Sequence, residues 1–310
     1  ALSSPFAVVA NAFAVLIRAE GKPVLSMVGM LLGNVINIIL DPVFILGLDM
    51  GCAGAAVATS IGQIAAGVFF VVYILRGKTE LSIRPKDFSA KDGIAKQVFA
   101  IGFPAAMITA LMNIYTIITN AVMGHFGDLA VAAMGVAMKV AIIGSSVSNG
   151  IGQGIQPLIG YQVGKKDQKR FRETVRFSTV FALIISLAIS VLCFAGARSV
   201  VSIFLTETES IEMGVTFTRI IASTMWISGI INLLGFVIQA MDAAKEANIV
   251  SLARNGYVGI VAVLLMSLFG NIYAVVAAQP VSDLISIAIT LVAFYSSAKL
   301  CFVGANFTGL

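Results

Sequence analysis

Charge is scarce in this chain. Lys, Arg, Asp and Glu together make up 11% of its 310 residues, against 59% hydrophobic residues, and the mean hydropathy is +1.00. That balance excludes an ordinary soluble domain and a disordered chain alike. Histidine is scarcer still: the single His125 lies in a short polar link, with no local partners for a metal site or a catalytic triad. Cys52, Cys193 and Cys301 are far apart, sit within or beside apolar runs and form no CxxC or Cys/His spacing, so they read as small buried hydrophobes. No nucleophile–base pair or metal set falls inside the apolar runs, which argues against a membrane enzyme and against a cofactor.

What the chain does have is long apolar runs. A helix needs about 20 mainly apolar residues to cross a bilayer, and nine segments meet or approach that length: roughly 2–17, 24–48, 53–75, 98–123, 129–164, 177–197, 214–241, 249–270 and 272–297. None alternates with the period of a barrel strand, so the expected fold is all-α and polytopic. The formal net charge of +5 hints at nucleic acid until the charges are placed. Lys and Arg concentrate in the links after spans one, three, five and seven, as at Arg18, Lys22, Arg76 to Lys96, Lys165 to Arg172, and Lys245, while the alternate links carry almost none. The positive-inside rule then puts the start of the chain outside and its end, near Lys299, in the cytoplasm, with the bilayer and not nucleic acid as partner. Because the chain opens at Ala1 with a short apolar run and no signal peptide, it is expected to be an N-terminally truncated piece.

One stretch, GNVINIILDPVFILGLDMGCAGAAVAT from Gly33 to Thr59, holds an acid where an acid is costly. Asp41 lies inside a span, and an intramembrane carboxylate is a functional hypothesis by default. Asn37 precedes it by one helical turn and shares its face. Pro42 follows directly and removes a backbone donor, loosening the ladder beside the pair. If residues 48–53 form a tight turn, Thr59 folds back to the depth of Asp41. Asn37, Asp41 and Thr59 then offer the oxygens of a small hard-cation or proton site, with Na⁺ or H⁺ as the coupling ion.

Other polar residues sit within spans. Asn113, Thr116 and Asn120 share a face of the fourth, behind a break expected at Pro104, and Asn149, Gln153 and Gln156 recur at helical spacing in a glycine-rich part of the fifth. Each stripe has a bland reading, helix-to-helix hydrogen bonding, and a functional one, the lining of a polar substrate cavity. Lys139 and Asp283 fall at similar mid-membrane depth, so either they neutralise each other or one of them touches substrate or ion. The chain also repeats itself weakly: NAFAVLIRA, from Asn11, pairs with NLLGFVIQA, from Asn232, and the three spans at each end share one topology. Parallel repeats of this kind mark secondary transporters. They give an expected division into a partial first lobe at 1–77, a cytoplasmic linker at 78–96, a six-helix second lobe at 97–300 and a tail at 301–310, with Asn11 added to the cavity.

These segments resemble a known family. NVINIILDPVFILGLDMGCAGAAVAT is similar to the fifth and sixth helices of the multidrug and toxic compound extrusion (MATE) family, IGFPAAM and GIGQGIQPLIGYQVGKKD to its seventh and eighth, and LIRAEGKP to the end of its fourth. The resemblance implies twelve helices in two six-helix lobes, of which the first three are absent here. It implies a monomeric, multi-pass protein of the cytoplasmic membrane that exports small organic cations and drugs against Na⁺ or H⁺. The family's first-lobe cation site maps onto Asn37, Asp41 and Thr59, and an acid that the family often adds from its first helix is missing. Two rivals stand beside an exporter. A lipid-linked oligosaccharide flippase needs several deep cations where this chain offers Lys139, and a non-transporting structural fragment predicts no substrate-dependent ion movement.

Overall fold

The structure is a computed structural model and describes residues 4–77, 79, 81–82, 86 and 94–302. Lys78, Arg84 and Lys91 of the expected linker, the tail from 303, and the side chains of Pro104, Arg254 and Asn255 lie outside that description. Among the described residues the chain is helical throughout and has no strand. Among the described residues seven helices are long and apolar enough to cross a membrane, where nine spans are expected; the first and eighth of those spans correspond to the shorter apolar helices Ser4–Ala19 and Val258–Ser267. The chain divides into two compact units, Ala1–Ala95 and Lys96–Leu310.

The first unit packs three helices against one another, α1 (Ser4–Ala19), α2 (Pro23–Pro42) and α3 (Gly51–Leu75). Pro23 opens α2, where a missing N–H costs nothing. At its other end Pro42 cannot donate to the ladder, and α2 runs into a π-helical turn, Val43–Gly47. The chain then reverses through Asp49 and Gly51, both in the left-handed region at φ 52° and 53°, and the Met50 N–H donates to the Phe44 carbonyl at 3.0 Å. The expected tight turn therefore exists and sends α3 back along α2. Ala10, Ala14, Ile17, Ala66 and Phe70 form the core of this unit.

Lipid is as apolar as leucine, so crossings between membrane helices depend on close packing and on hydrogen bonds more than on the hydrophobic effect. Gly33 and Gly62 show the first. A Cβ on Gly33 would lie 2.6 Å from the Gly62 carbonyl oxygen, and one on Gly62 would lie 2.5 Å from that of Gly33. Only a bare backbone permits so close an approach.

The second unit contains α4 (Ile94–Gly124), α5 (Asp128–Gly164), α6 (Gln168–Ala195), α7 (Ala197–Phe204), α8 (Thr208–Ala240), α9 (Ala244–Leu252), α10 (Val258–Ser267) and α11 (Ile272–Cys301). Helix α8 is its axis and packs on α5, α6 and α11. One core cluster joins Phe171, Val237, Ile238 and Phe294, and another joins Met123, Met134, Phe217 and Val263. Buried hydroxyls supply the hydrogen bonds: Ser148 and Ser186 bond across α5 and α6 at 3.2 Å, and Ser190 donates to the Ala222 carbonyl of α8. Such bonds contribute about 0.6 kcal/mol each in membrane proteins.

Three expectations need correction. The eighth span is not one helix: α9 and α10 are separated by a π-helical segment, Ala253–Tyr257, in which Gly256 has non-helical angles of φ −100° and ψ −113°. Glycine carries no Cβ to forbid that geometry, and hydropathy does not register it. Pro104 does not end a helix, since α4 is continuous from Ile94 to Gly124; a proline removes one ladder bond and the neighbouring turns carry on. The link after the sixth span also holds a short helix, α7, whose eight residues are too few to show as a run.

Candidate functional site

The first unit brings Asn37, Asp41 and Thr59 together. The Asn37 amide nitrogen donates to Asp41 Oδ1 at 3.3 Å and to Thr59 Oγ1 at 3.4 Å. Thr59 commits its own proton to the Ala55 carbonyl at 2.8 Å, so its oxygen faces Asn37 as an acceptor. Both bonds from Asn37 are longer than the usual N–H···O distance, and the amide bridges the Asp41 and Thr59 oxygens. The geometry has two sources. One turn of α2 separates Asn37 from Asp41, and the Gly33–Gly62 crossing lies one turn from both Asn37 and Thr59, holding α2 and α3 close enough for the amide to span them.

Beside the trio is a cavity of about 140 Å³ lined by Asn11, Asn34, Asn37, Thr59 and Gln63. Asn11, expected in a substrate cavity, thus lies next to the Asp41 group; its amide donates to the Ala7 carbonyl at 2.8 Å. Gln63 was not anticipated. Its Oε1 is buried without a hydrogen-bond partner, which carries a desolvation penalty that native structures rarely leave unanswered. The available signal was spacing, because Gln63 follows Thr59 by four residues and so shares its face of α3.

The remaining candidates lie in the second unit and do not assemble into one cluster. Asn113, Thr116 and Asn120 occupy the exposed face of α4, and Thr116 turns its hydroxyl back to the Met112 carbonyl at 3.0 Å. The buried face carries Tyr115, Thr119 and Met123 instead. Gln153 and Gln156 are half-buried on α5, and Gln156 donates to Gln239 of α8 at 2.9 Å.

Lys139 and Asp283 do not neutralise each other. Lys139 is exposed, its ammonium 5.5 Å from the centre of the Phe204 ring of α7. Asp283 is 1% exposed, and its carboxylate accepts from Ser228 at 2.8 Å, Thr224 at 3.2 Å and Gln279 at 3.4 Å. Gln279 accepts in turn from the Tyr115 hydroxyl at 2.7 Å. Equal depth along two helices says nothing about the direction each side chain takes around its axis, and here the directions differ.

Fold and site define a class: a multi-pass helical membrane protein with a single-carboxylate polar cluster between two helices. The comparisons agree with the multi-pass helical fold. The MatE family model matches residues 104–265. Multidrug export protein MepA of Staphylococcus haemolyticus (strain JCSC1435) is 29% identical over 87% of this chain, and MepA of Staphylococcus aureus (strain MSSA476) is 26% identical over 87%. The chain spans 59% of the length of each. A crystal structure of MATE in complex with MaL6 superposes with a TM-score of 0.86 at 19% identity, over 95% of this chain and 67% of that one. The Vibrio cholerae MATE transporter VcmN in its bent form gives 0.82 at 22% identity, over 97% and 69%. Likeness at such identities shows the fold. The family match covers more than half of the sequence, and the chain belongs to the MatE family.

Proposed function

We propose that this chain is the larger part of a cation-coupled antiporter that exports amphipathic, often cationic organic compounds across the cytoplasmic membrane, with Asp41 as its ion-exchanging group. The observation that carries the reading is the Asn37–Asp41–Thr59 cluster in a chain whose relatives are named multidrug export proteins. Binding of H⁺ or Na⁺ at Asp41 cancels its charge, and a cation entering the cluster displaces the amide that bridges the two oxygens. That exchange changes what α2 and α3 share, directly beside the π-helical turn that follows Pro42. An ion that binds one arrangement of the helices better than another shifts the population between them, and this is the physical content of coupling.

In this reading residues 1–77 are the end of a first lobe, 78–96 the linker and 97–300 the second lobe of a monomer whose basic links face the cytoplasm. Asn113, Thr116, Asn120, Gln153, Gln156, Lys139 and Asp283 contribute to its substrate path. The test is efflux of a fluorescent cationic dye from cells expressing the full-length parent. Asp41→Asn should reduce ion-driven efflux to background with the protein still in the membrane; undiminished efflux removes the coupling assignment.

A further inference from the structure

Six basic residues and two acids fall between Lys165 and Arg176, where α5 ends and α6 begins. An orientation signal needs only their number, yet their placement has an order of its own. We infer that this junction is a docking site for an anionic phospholipid, whose phosphate lies between Lys169 and Arg176 and one of whose acyl chains runs down the outer face of α6. The inference needs a bilayer around the chain and nothing else, so it goes beyond the exporter reading and stands apart from it.

Three observations carry it. Lys169 and Arg176 are both exposed and seven residues apart on α6, which is two turns, or about 10 Å, along one face. Both have stems long enough to lean toward a phosphate held between them. Glu173 lies between them on the same face and is exposed too. Among the described residues no ion pair ties either cation to it, and with basic residues in such excess it weakens the local field without reversing it.

The surrounding charges are already engaged. The Lys165 ammonium sits 4.5 Å from the centre of the Tyr161 ring. Asp167 caps α6 by accepting from the Arg170 N–H at 3.1 Å, and its other oxygen lies 3.5 Å from the Arg170 guanidinium. The acid of the link is thus taken up at the helix start, which leaves Lys169 and Arg176 to face the membrane surface.

The third observation is what continues below them. In register with the two cations, exposed Phe177, Val180, Ile184, Leu187 and Val191 follow one another at helical spacing. Helix α6 packs on α5 and α8 with its other face, where Phe171, Val175 and Ala182 are buried. The rings of Phe177 and Phe181 stack with centres 6.1 Å apart and planes 8° from parallel, an apolar ledge directly after Arg176. Cations at the surface and an apolar stripe beneath them repeat the order of a phospholipid, headgroup and then chain. A soluble anion would use the cations and ignore the stripe.

The test is lipid binding to the full-length parent in detergent, counted by native mass spectrometry with phosphatidylglycerol and phosphatidylcholine as probes. Lys169→Gln/Arg176→Gln should weaken phosphatidylglycerol binding roughly thirtyfold, the scale of two cations near a charged surface. The same variant should hold phosphatidylcholine, neutral overall, within about twofold of wild type, and that retained binding reports a folded protein. Lys245→Gln/Lys299→Gln removes equal charge at other helix ends and should leave phosphatidylglycerol within about twofold, because the attraction falls off over a Debye length. Unchanged phosphatidylglycerol affinity in the first variant overturns the inference, and so does an equal loss in the second, which would make net charge the whole effect. Equal loss of both lipids overturns it as well, since a neutral headgroup has no reason to sense the two cations. Displacement of phosphatidylglycerol by inorganic phosphate alone would assign the cations to a free anion instead. Asp41→Asn leaves this junction intact, so loss of ion coupling with lipid binding retained shows the two readings failing separately.

Discussion

Gly33 and Gly62 meet backbone to backbone, and the cluster around Asp41 is set by that meeting. Neither glycine can accept a Cβ without moving the facing helix. Gly62→Ala should therefore separate α2 from α3 and break the Asn37–Thr59 contact. Overpacking of this kind costs about 1–3 kcal/mol. The expected result is a lower melting temperature in detergent and dye efflux close to that of Asp41→Asn, with helical content by circular dichroism retained. Wild-type efflux from Gly62→Ala would show that the trio tolerates a wider crossing.

Gln63 keeps a buried oxygen without a partner beside the same cluster. Gln63→Leu removes that oxygen at nearly constant volume, and relief of an unsatisfied buried group is worth about 1–3 kcal/mol. The variant should melt higher than wild type while ion-driven efflux falls severalfold. A more stable protein with unchanged efflux would assign Gln63 to packing alone.

Asp283 and Lys139 make opposite predictions. Asp283→Ala leaves the donors on Ser228, Thr224 and Gln279 short of a buried acceptor and should destabilise by several kcal/mol, whereas Lys139→Ala, at an exposed site, should change stability by less than about 0.5 kcal/mol. A double-mutant cycle should give a coupling energy near zero. Substantial coupling would restore the ion pair that the structure denies.

One pH effect belongs to the turn between α1 and α2. Lys22 loses some solvation there, which lowers its pKa, but its bonds to Glu20 and Tyr73 outweigh that loss and hold the ammonium above its usual 10.5. The Glu20 contact is 3.2 Å. A raised folded-state pKa contributes stability that is complete below the ordinary lysine pKa and is lost as pH climbs through the folded value. The small advantage of wild type over Lys22→Met should be constant from neutral pH to about 10 and vanish above it. Thermal melts across that range decide the point, and an advantage that persists at the alkaline end contradicts it.

How far the sequence discloses this molecule depends on how local each feature is. Asn37 and Asp41 are one turn apart on one helix, and Thr59 returns to them through a turn that glycine and aspartate announce, so the grouping is legible. Seven of the nine expected spans are legible because hydropathy sums along a helix; the first and eighth give only shorter apolar helices. Direction around a helix axis is not summed: spacing puts Asn113, Thr116 and Asn120 on one face of α4, but it does not say that the packed face is the other one, with Tyr115, Thr119 and Met123. The interruption at Gly256 lacks a proline to signal it. The cavity lined by Asn149, Asn232, Gln239 and Asn248 brings the consecutive pair α4 and α5 against the consecutive pair α8 and α9; helical spacing singled out Asn149 and the repeat Asn232, but neither brings the two pairs together.

Helix α8 is enclosed on several sides by α5, α6 and α11, and this limits how the second unit can travel. A rod gripped by three neighbours cannot roll or slide by itself, so these four helices shift as one raft. The elbow at Gly256 joins α9, which packs on α8, to α10, which packs on α11, so a bend there works against two members of that raft.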